Sequence, residues 1–219
     1  MVAQVGRATA WAGLKVLGVK VIIKGDRPKN MRHKVFVSNH LSYVDIMTLM
    51  ALLPSRFVTF IEFQNIPGIG VLSKISGTLF IHRSQPSRVK KDVLQIEKAI
   101  QKGSTIVFFP EGSSFDGAEL HPFKSSLFQS AIQTKALVHP ICLRYLEIDG
   151  LPVSTQNRDQ LYYYGDMDLL PQLMGLLKLR SVTVEVVFES PIDASLYNRK
   201  ELTEKAQSVI QKHFLPVQS

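Results

Sequence analysis

Short apolar runs rich in β-branched residues alternate along this chain with segments whose apolar residues recur every three or four positions. The runs predict buried strands, and the recurring spacing predicts helices with one apolar face. The strand candidates are residues 19–23, 34–37, 57–60, 79–81, 105–109, 137–143 and 182–188. The helix candidates are residues 46–53, 89–100, 125–133 and 201–214. This alternation predicts an α/β domain with a mixed, largely parallel sheet flanked by helices.

The length and the cysteine content limit the architecture further. The chain has 219 residues, and no internal repeat or linker-like tract interrupts it, so a single large domain is expected. Cys142 is the only cysteine, which excludes an internal disulfide and metal sites that need two or more cysteines. We therefore expect no Cys₄ or Cys₂His₂ metal site.

Positive charge is concentrated at the N-terminus. Residues 1–34 contain eight basic side chains and one acidic side chain, so they carry seven of the chain's eight net positive charges. Such a segment is attracted to polyanions, either anionic lipid or nucleic acid. Nucleic-acid binding is typical of cations interleaved with aromatic residues, and Trp11 is the only aromatic residue before Phe36. We therefore expect an anionic membrane surface, and not nucleic acid, as the partner of residues 1–34.

The first apolar segment, residues 8–23, is interrupted by Lys15 and Lys20 and is shorter than a bilayer-spanning helix. No small-residue cleavage site follows it, which argues against a secretory signal. A short amphipathic helix with Trp11 at the membrane interface fits this composition. An ordinary first helix packed on the domain fits it equally well. The expected organisation is a membrane-associating segment over residues 1–18 and a folded domain over residues 19–219.

The residues 38–45 hold the most informative combination of reactive groups. His40 follows a predicted strand and can act as a general base near neutral pH. Asp45, at the start of the next helix, could accept a hydrogen bond from the imidazole and fix its tautomer. On their own, these residues also fit a helix N-cap at Ser42 or Asp45 beside an incidental histidine. The chain has no G-x-S-x-G motif, and Cys142 lies in an apolar strand, so we expect His40 to activate a substrate hydroxyl or water directly.

Two further strand ends carry polar groups. The loop at residues 110–117 presents Glu111, Gly112 and Ser113, and its glycines let backbone N–H groups approach an anion or an acyl oxygen. A solvent-exposed turn explains the same composition. Arg83 follows another predicted strand and Lys124 precedes a helix, so both cations could bind a phosphate.

Four blocks of the sequence together resemble one family. Asn39-His40 with Asp45 is similar to the N-H-x-x-x-x-D block of the 1-acylglycerol-3-phosphate (lysophosphatidic acid) acyltransferase family. The second, third and fourth blocks of that family resemble Phe80-Ile81-His82-Arg83, Phe109-Pro110-Glu111-Gly112 and Val138-His139-Pro140-Ile141. Order and spacing also agree, over roughly residues 20–190. Each block is weak alone, and the four in register outweigh the structural explanations given above.

The resemblance implies a single glycerolipid-acyltransferase-like domain that transfers a fatty acyl group from acyl-CoA or acyl-carrier protein to a lysolipid hydroxyl. It implies that His40 is the base, that Asp45 orients it, and that Arg83, Glu111 and Gly112 bind the acceptor. It also implies that the reaction needs neither a metal nor another cofactor. Backbone N–H groups near Asn39 and Ser113 become candidates for stabilising the oxyanion. A lysolipid acceptor also implies attachment to a membrane, here the cytoplasmic face of the inner membrane.

One departure from the family pattern bears on the acceptor. The third block usually continues Glu-Gly-Thr-Arg, with an arginine that helps to bind the acceptor phosphate, whereas Ser113 and Ser114 follow Gly112 here. Either Lys124 replaces that cation, or the acceptor lacks a phosphomonoester. Residues 111–117, 122–128 and 164–169 look closer to lyso-ornithine lipid acyltransferases. We therefore expect 1-acylglycerol-3-phosphate, with lyso-ornithine lipid as the alternative acceptor. A non-catalytic basic module that binds membrane or nucleic acid would explain residues 1–34 and leave His40 without a role.

Overall fold

The computed structural model describes residues 2–66, 70, 73, 76–82 and 86–218. Nine strands within these residues form one sheet, and the short apolar runs of the sequence supply most of them. The strands are β1 (Val19–Gly25), β2 (Lys34–Ser38), β3 (Arg56–Phe60), β4 (Leu79–Ile81), β5 (Ile106–Phe108), β6 (Leu137–Ile148), β7 (Leu151–Pro152), β8 (Val182–Phe188) and β9 (Ile192–Asp193).

The strand order across the sheet is β1-β8-β6-β2-β5-β3-β4, with β7 and β9 paired to β6. The neighbours from β6 to β4 are all parallel, whereas β8 runs antiparallel to β6 and parallel to β1. The carboxyl ends of β2, β3, β4, β5 and β6 therefore lie along one edge of the sheet. Reactive groups of parallel sheets collect at such an edge.

Six helices of the described chain cover the two faces of the sheet. They are α1 (Val2–Val16), α2 (Tyr43–Leu52), α3 (Val89–Gln101), α4 (Phe128–Thr134), α5 (Leu169–Leu176) and α6 (Arg199–Gln211). Because side chains alternate along a strand, Val35 and Val37 face one apolar cluster and Phe36 faces the other. Helices α3, α4 and α6 pack in the first cluster, and α1, α2 and α5 pack in the second.

The predicted α/β class with a mixed, largely parallel sheet is confirmed. Each predicted strand and each of the four predicted helices has a counterpart, with boundaries that differ by a few residues. Helix α5 was not predicted, because Pro171 and Gly175 interrupt its apolar pattern. Pro171 is tolerated because it lies in the first turn, where a backbone N–H has no helical acceptor.

Helix α1 packs against α2, with Ala10 and Leu14 buried between them and Trp11 half-exposed. Two N-terminal arginines bind the end of α2: Arg7 Nε donates to the Ala51 carbonyl and Arg27 to the Leu52 carbonyl, both at 3.2 Å. Carbonyls in the last turn of a helix lack helical donors, so these cations stabilise the α2 terminus. Over the described residues, we find no helix with the length and apolar character that crossing a membrane requires.

Candidate active site

The site begins where β2 ends and α2 starts. Ser42 is the N-cap of α2, and its side chain accepts a hydrogen bond from the Val44 N–H at 3.2 Å. Asp45 completes a capping box by accepting from the Ser42 N–H at 2.8 Å. The helix start therefore depends on a serine and an aspartate placed three residues apart.

The same Asp45 carboxylate holds the His40 ring. Asp45 Oδ2 lies 2.8 Å from His40 Nδ1 and also accepts from the Leu41 N–H at 2.6 Å. The two explanations of this sequence are therefore compatible, because one carboxylate both caps α2 and binds the imidazole. A proton on Nδ1 directed at Asp45 leaves Nε2 of His40 as the nitrogen that can accept a proton.

Tyr145 on β6 provides a further partner that the sequence did not predict. Its hydroxyl donates to Asp45 Oδ1 at 2.5 Å, and the side chain is buried. Burial, together with the charge of Asp45, raises the pKa of Tyr145 well above its ordinary value. The tyrosine therefore remains a hydrogen-bond donor to the carboxylate. Strand periodicity can place Tyr145 on the same sheet face as Phe36, but it cannot show that its hydroxyl reaches Asp45.

Two contacts with residues 109–112, the third block of the family pattern, hold His40 in place. The ring of Phe109 stacks on the imidazole with 4.0 Å between centroids and 12° between planes. The His40 backbone N–H donates to Glu111 Oε1 at 2.8 Å. Both the ring and the main chain of His40 are therefore held by the loop that follows β5.

Glu111 is buried, and both of its oxygens accept backbone hydrogen bonds. Oε2 accepts from the His121 N–H at 3.1 Å, so the carboxylate joins the loop around His40 to the segment before α4. Burial raises the pKa of Glu111 to about 8, against the opposing effect of these two hydrogen bonds. Its predicted contact with the acceptor stays a prediction.

Gly112 and Lys124 lie close together in the cavity wall. Gly112 has a φ of +80°, and a Cβ on it would lie 2.6 Å from Lys124 Nζ. The left-handed backbone favours a glycine here, and any larger residue would displace the end of the Lys124 side chain. Ser113 and Ser114 continue the same wall, whereas Asn39 does not line it.

The Asn39 amide instead joins two strands at this edge. Its Nδ2 donates to the Leu143 carbonyl at 2.9 Å, and its Oδ1 accepts from the Leu143 N–H at 2.8 Å. The side chain thus extends the pairing of β2 with β6 by one residue. This places His40 at the end of a fixed segment of backbone.

His40 opens onto a cavity of about 390 Å³, a volume typical of small-molecule sites. One group of its lining residues is apolar, namely Ile46, Phe57, Val58, Phe60, Phe63 and Ile81. The polar lining includes His40, His82, Asp92, Ser113, Ser114 and Lys124. The cavity therefore combines an apolar wall with a polar wall that contains a base and a cation.

The second and fourth blocks contribute differently. Arg83 lies outside the described residues, but its neighbour His82 lines the cavity, and the His82 N–H donates to Asp92 at 2.9 Å. His139 lies inside β6, stacked on Phe36 with 5.0 Å between centroids. Burial lowers the pKa of His139 to about 4, so it is a neutral histidine of the core. Within the described residues, no group of three potential metal ligands is found.

A family model described as Acyltransferase matches residues 20–144, more than half of the chain. The chain belongs to the acyltransferase family. This acyltransferase is 33% identical over 206 residues to the lyso-ornithine lipid O-acyltransferase of Rhodobacter capsulatus, an alignment that covers 90% of this chain and 70% of that protein. It is 30% identical over 186 residues to the 1-acyl-sn-glycerol-3-phosphate acyltransferase of Neisseria gonorrhoeae, with 83% and 69% covered.

A solved structure has the same fold as this acyltransferase. The 1-acyl-sn-glycerophosphate (LPA) acyltransferase PlsC of Thermotoga maritima superposes with a TM-score of 0.70 and 18% sequence identity. The match covers 97% of this chain and 78% of the other. The acyltransferase is therefore an enzyme of the lysophosphatidic acid and lyso-ornithine lipid acyltransferase type.

Proposed function

We propose that this acyltransferase moves a fatty acyl group from acyl-CoA or acyl-carrier protein to the free hydroxyl of a lysolipid, with His40 as the general base. The observation that carries the proposal is the 2.8 Å contact between His40 and Asp45 at the wall of a cavity that is part apolar and part polar. An acyl chain suits the apolar wall, and a charged headgroup suits the polar one.

The reaction needs a base in the first step and an acid in the second. The lysolipid hydroxyl oxygen attacks the thioester carbonyl carbon while its proton passes to His40 Nε2. Asp45, already bonded to Nδ1, stabilises the imidazolium that forms. The tetrahedral intermediate then loses the thiolate, which takes the proton from His40. The products are an ester and a free thiol, and no acyl-enzyme is formed.

The residues around Gly112 are suited to the charges of this reaction. The positive φ of Gly112 gives the loop a backbone conformation in which N–H groups can face a developing oxyanion. We propose that N–H groups near Ser113 have this role. Lys124, together with Arg83, would bind the acceptor headgroup. Glu111 and Gly112 contribute to acceptor binding by holding the loop against His40.

The acceptor that we propose is 1-acylglycerol-3-phosphate, which would give phosphatidic acid. The ammonium of Lys124 lies in the cavity wall, and no carboxylate of the described residues is within salt-bridge distance of it. A cation with no carboxylate partner among the described residues is suited to an anionic headgroup. Lys124 would then take the place of the arginine that usually ends the third block.

Lyso-ornithine lipid is the second candidate acceptor, and Ser113-Ser114 favours it. These two hydroxyls line the cavity where the family pattern has threonine and arginine. Two relatives at 32% and 33% identity are lyso-ornithine lipid O-acyltransferases, from Pseudomonas aeruginosa and Rhodobacter capsulatus. An acceptor without a phosphomonoester would need fewer cations.

A lysolipid acceptor requires the enzyme to work at a membrane. Residues 1–34 carry most of the net positive charge, and helix α1 exposes Trp11 beside Lys15. Attachment of residues 1–34 to the cytoplasmic face of the inner membrane, where anionic lipids attract cations, belongs to the proposal.

The test is release of free thiol from a long-chain acyl-CoA by the purified protein in mixed micelles, with each lysolipid supplied separately. His40→Ala serves as the blank. His213→Ala is the matched control, because His213 also contacts a carboxylate, Glu189 at 2.7 Å, but lies outside the cavity lining. Turnover that His40→Ala abolishes and His213→Ala retains supports the proposal. Turnover by all three proteins, or by none, overturns it.

A further inference from the structure

Helix α5 has apolar side chains on its outer surface as well as on its inner one. Leu176 is buried against the sheet, and Leu173 packs beside the same cluster. On the outside, Leu170 is 68% exposed and Met174 is 57% exposed, and Leu177, the C-cap residue whose backbone is still helical, is 68% exposed. These three positions follow the i, i+4, i+7 spacing and form one stripe. A surface helix normally presents polar residues to water, so we expect another apolar surface to cover this stripe.

Basic side chains surround the carboxyl end of this stripe. Lys178 and Arg180 lie two and four residues beyond the end of α5, and both are exposed. The Arg180 carbonyl lies against Gly18, in the turn that ends α1, so the end of α1 is a direct neighbour. Asp166 and Asp168 precede the helix at its opposite end, whereas Asp149 accepts hydrogen bonds from the Arg180 and Ser181 N–H groups at 2.7 Å and 2.9 Å. Two exposed cations and one carboxylate therefore lie on the side of the stripe that adjoins α1.

Helix α1 adds exposed apolar groups and another cation near this end. Val16, in its last turn, is 77% exposed, and Trp11 and Lys15 lie on the same solvent-facing stripe of the helix. Exposed aliphatic and tryptophan side chains combined with lysine and arginine are typical of helices that lie in a membrane interface.

Helix α5 is hydrogen-bonded to a segment that leads into the lining of the cavity. Gln172 Nε2 donates to the carbonyls of Tyr162 at 2.7 Å and Asp159 at 3.1 Å. The segment that these bonds hold includes Tyr163 and Gly165, which line the cavity. Helix α5 is thus attached to the rim of the cavity through a few residues of chain.

We infer that the outer face of α5, with Lys178 and Arg180, is a second membrane-binding element that lies in an anionic lipid surface beside α1. The inference extends membrane binding beyond residues 1–34 and rests on the proposed lysolipid substrate for its purpose. The α5 stripe enters the apolar boundary of the bilayer, and the cations contact lipid phosphates. A protein partner fits less well, because one two-turn helix offers far less than the roughly 1,000 Å² of a specific interface.

The test is flotation of the purified protein with vesicles of phosphatidylcholine and phosphatidylglycerol in equal parts, and with phosphatidylcholine alone. The variant is Leu170→Gln/Leu177→Gln. Its control is Leu94→Gln/Leu196→Gln, which removes two exposed leucines, 46% and 72% exposed, from the opposite side of the sheet. We expect affinity for anionic vesicles to fall about tenfold or more in the α5 variant. The control should stay within about twofold.

A reporter variant measures insertion directly. The chain has one tryptophan, so Trp11→Phe/Leu177→Trp places the only indole on the outer face of α5. We expect a blue shift of its emission when anionic vesicles are added. Unchanged flotation of Leu170→Gln/Leu177→Gln together with no blue shift overturns the inference. Dissociation of a wild-type dimer by the α5 substitutions, with vesicle binding intact, also overturns it in favour of a second copy of the chain.

These measurements are independent of turnover. If the protein binds vesicles through α5 but releases no thiol with either lysolipid, the membrane-binding role of α5 is supported and the proposed function is contradicted. If the protein releases thiol but its vesicle binding does not depend on α5, the proposed function is supported and the membrane-binding role of α5 is contradicted.

Discussion

The hydroxyl of Tyr145 donates to Asp45 across 100 residues of sequence, at 2.5 Å, on the carboxylate oxygen that does not bind His40. Asp45 therefore accepts from the ring of His40, from two backbone N–H groups and from a tyrosine of the neighbouring β6. A carboxylate with this many donors has one available orientation. The direction of the His40 ring follows from that orientation.

Tyr145→Phe removes one donor from Asp45 and leaves the packing of the ring in place. We expect kcat to fall about tenfold, because a hydrogen bond to a charged group contributes about 1.5–3 kcal/mol and only part of it acts on His40. The KM values for both substrates should stay nearly unchanged. Steady-state kinetics with each substrate varied in turn measure this split.

Tyr162→Phe is the control, since this buried tyrosine packs beside Tyr145 with 5.6 Å between ring centroids. Equal losses in the two variants would mean that Tyr145 acts through packing. A loss confined to KM would contradict its assignment as a residue that positions the base.

Asp45 and His40 should differ in their effect on stability, although we propose that turnover needs both. Asp45→Ala removes the capping box and leaves buried N–H groups without an acceptor, so we expect a loss of about 3–5 kcal/mol in the free energy of unfolding. His40→Ala leaves those bonds in place and should cost less than about 2 kcal/mol. Urea unfolding of both variants, beside thiol release, measures the difference. Similar unfolding midpoints would show that the capping role of Asp45 is minor.

Glu111 should make stability depend on pH. Its pKa is 4.5 ordinarily and about 8 in the folded chain, so the folded state holds a proton that the unfolded state loses between these values. The stabilisation from that proton is complete below about pH 4.5 and is lost as the pH rises towards 8. Relative to Glu111→Gln, which does not titrate, the wild type should lose up to about 1.4 kcal/mol per pH unit.

Urea unfolding of both proteins at intervals from about pH 5 to about pH 8 measures this difference. Stability curves that run parallel over the range would mean that the carboxylate is ionised throughout, held so by the N–H groups of His40 and His121.

Lys124→Gln tests which substrate the cation binds. If Lys124 contacts the acceptor headgroup, the KM for 1-acylglycerol-3-phosphate should rise about tenfold with little change in kcat, because a charge-assisted contact to the ground state is lost. Lys90→Gln is the control, since Lys90 is an exposed lysine of α3 that does not line the cavity. A raised KM for acyl-CoA alone would assign Lys124 to the thioester donor.

The parts of this structure that are local in sequence were predictable, and the parts that depend on long-range contact were not. The alternation of apolar runs predicted the sheet. The spacing of His40 and Asp45 allowed their contact beside the alternative of a simple helix cap, and the resemblance of four blocks to one family decided in favour of the contact. The Tyr145–Asp45 and Asn39–Leu143 hydrogen bonds join residues that are 100 and 104 positions apart in the sequence. The periodicity of apolar residues cannot predict contacts over such separations. Helix α5 was missed for a local reason, since proline and glycine are read as helix breakers wherever they occur.

The bonds from Arg7 and Arg27 to the end of α2 have a practical consequence for handling the protein. Deleting a basic N-terminal segment is a common way to free an enzyme from lipid, but here the same deletion would strip donors from the helix whose first turn holds Asp45. The buried contact of Leu14 with that helix layer would be lost as well. The segment that we propose to bind lipid therefore also supports the catalytic helix, so its deletion would weaken the active site while leaving the outer face of α5 available to the membrane.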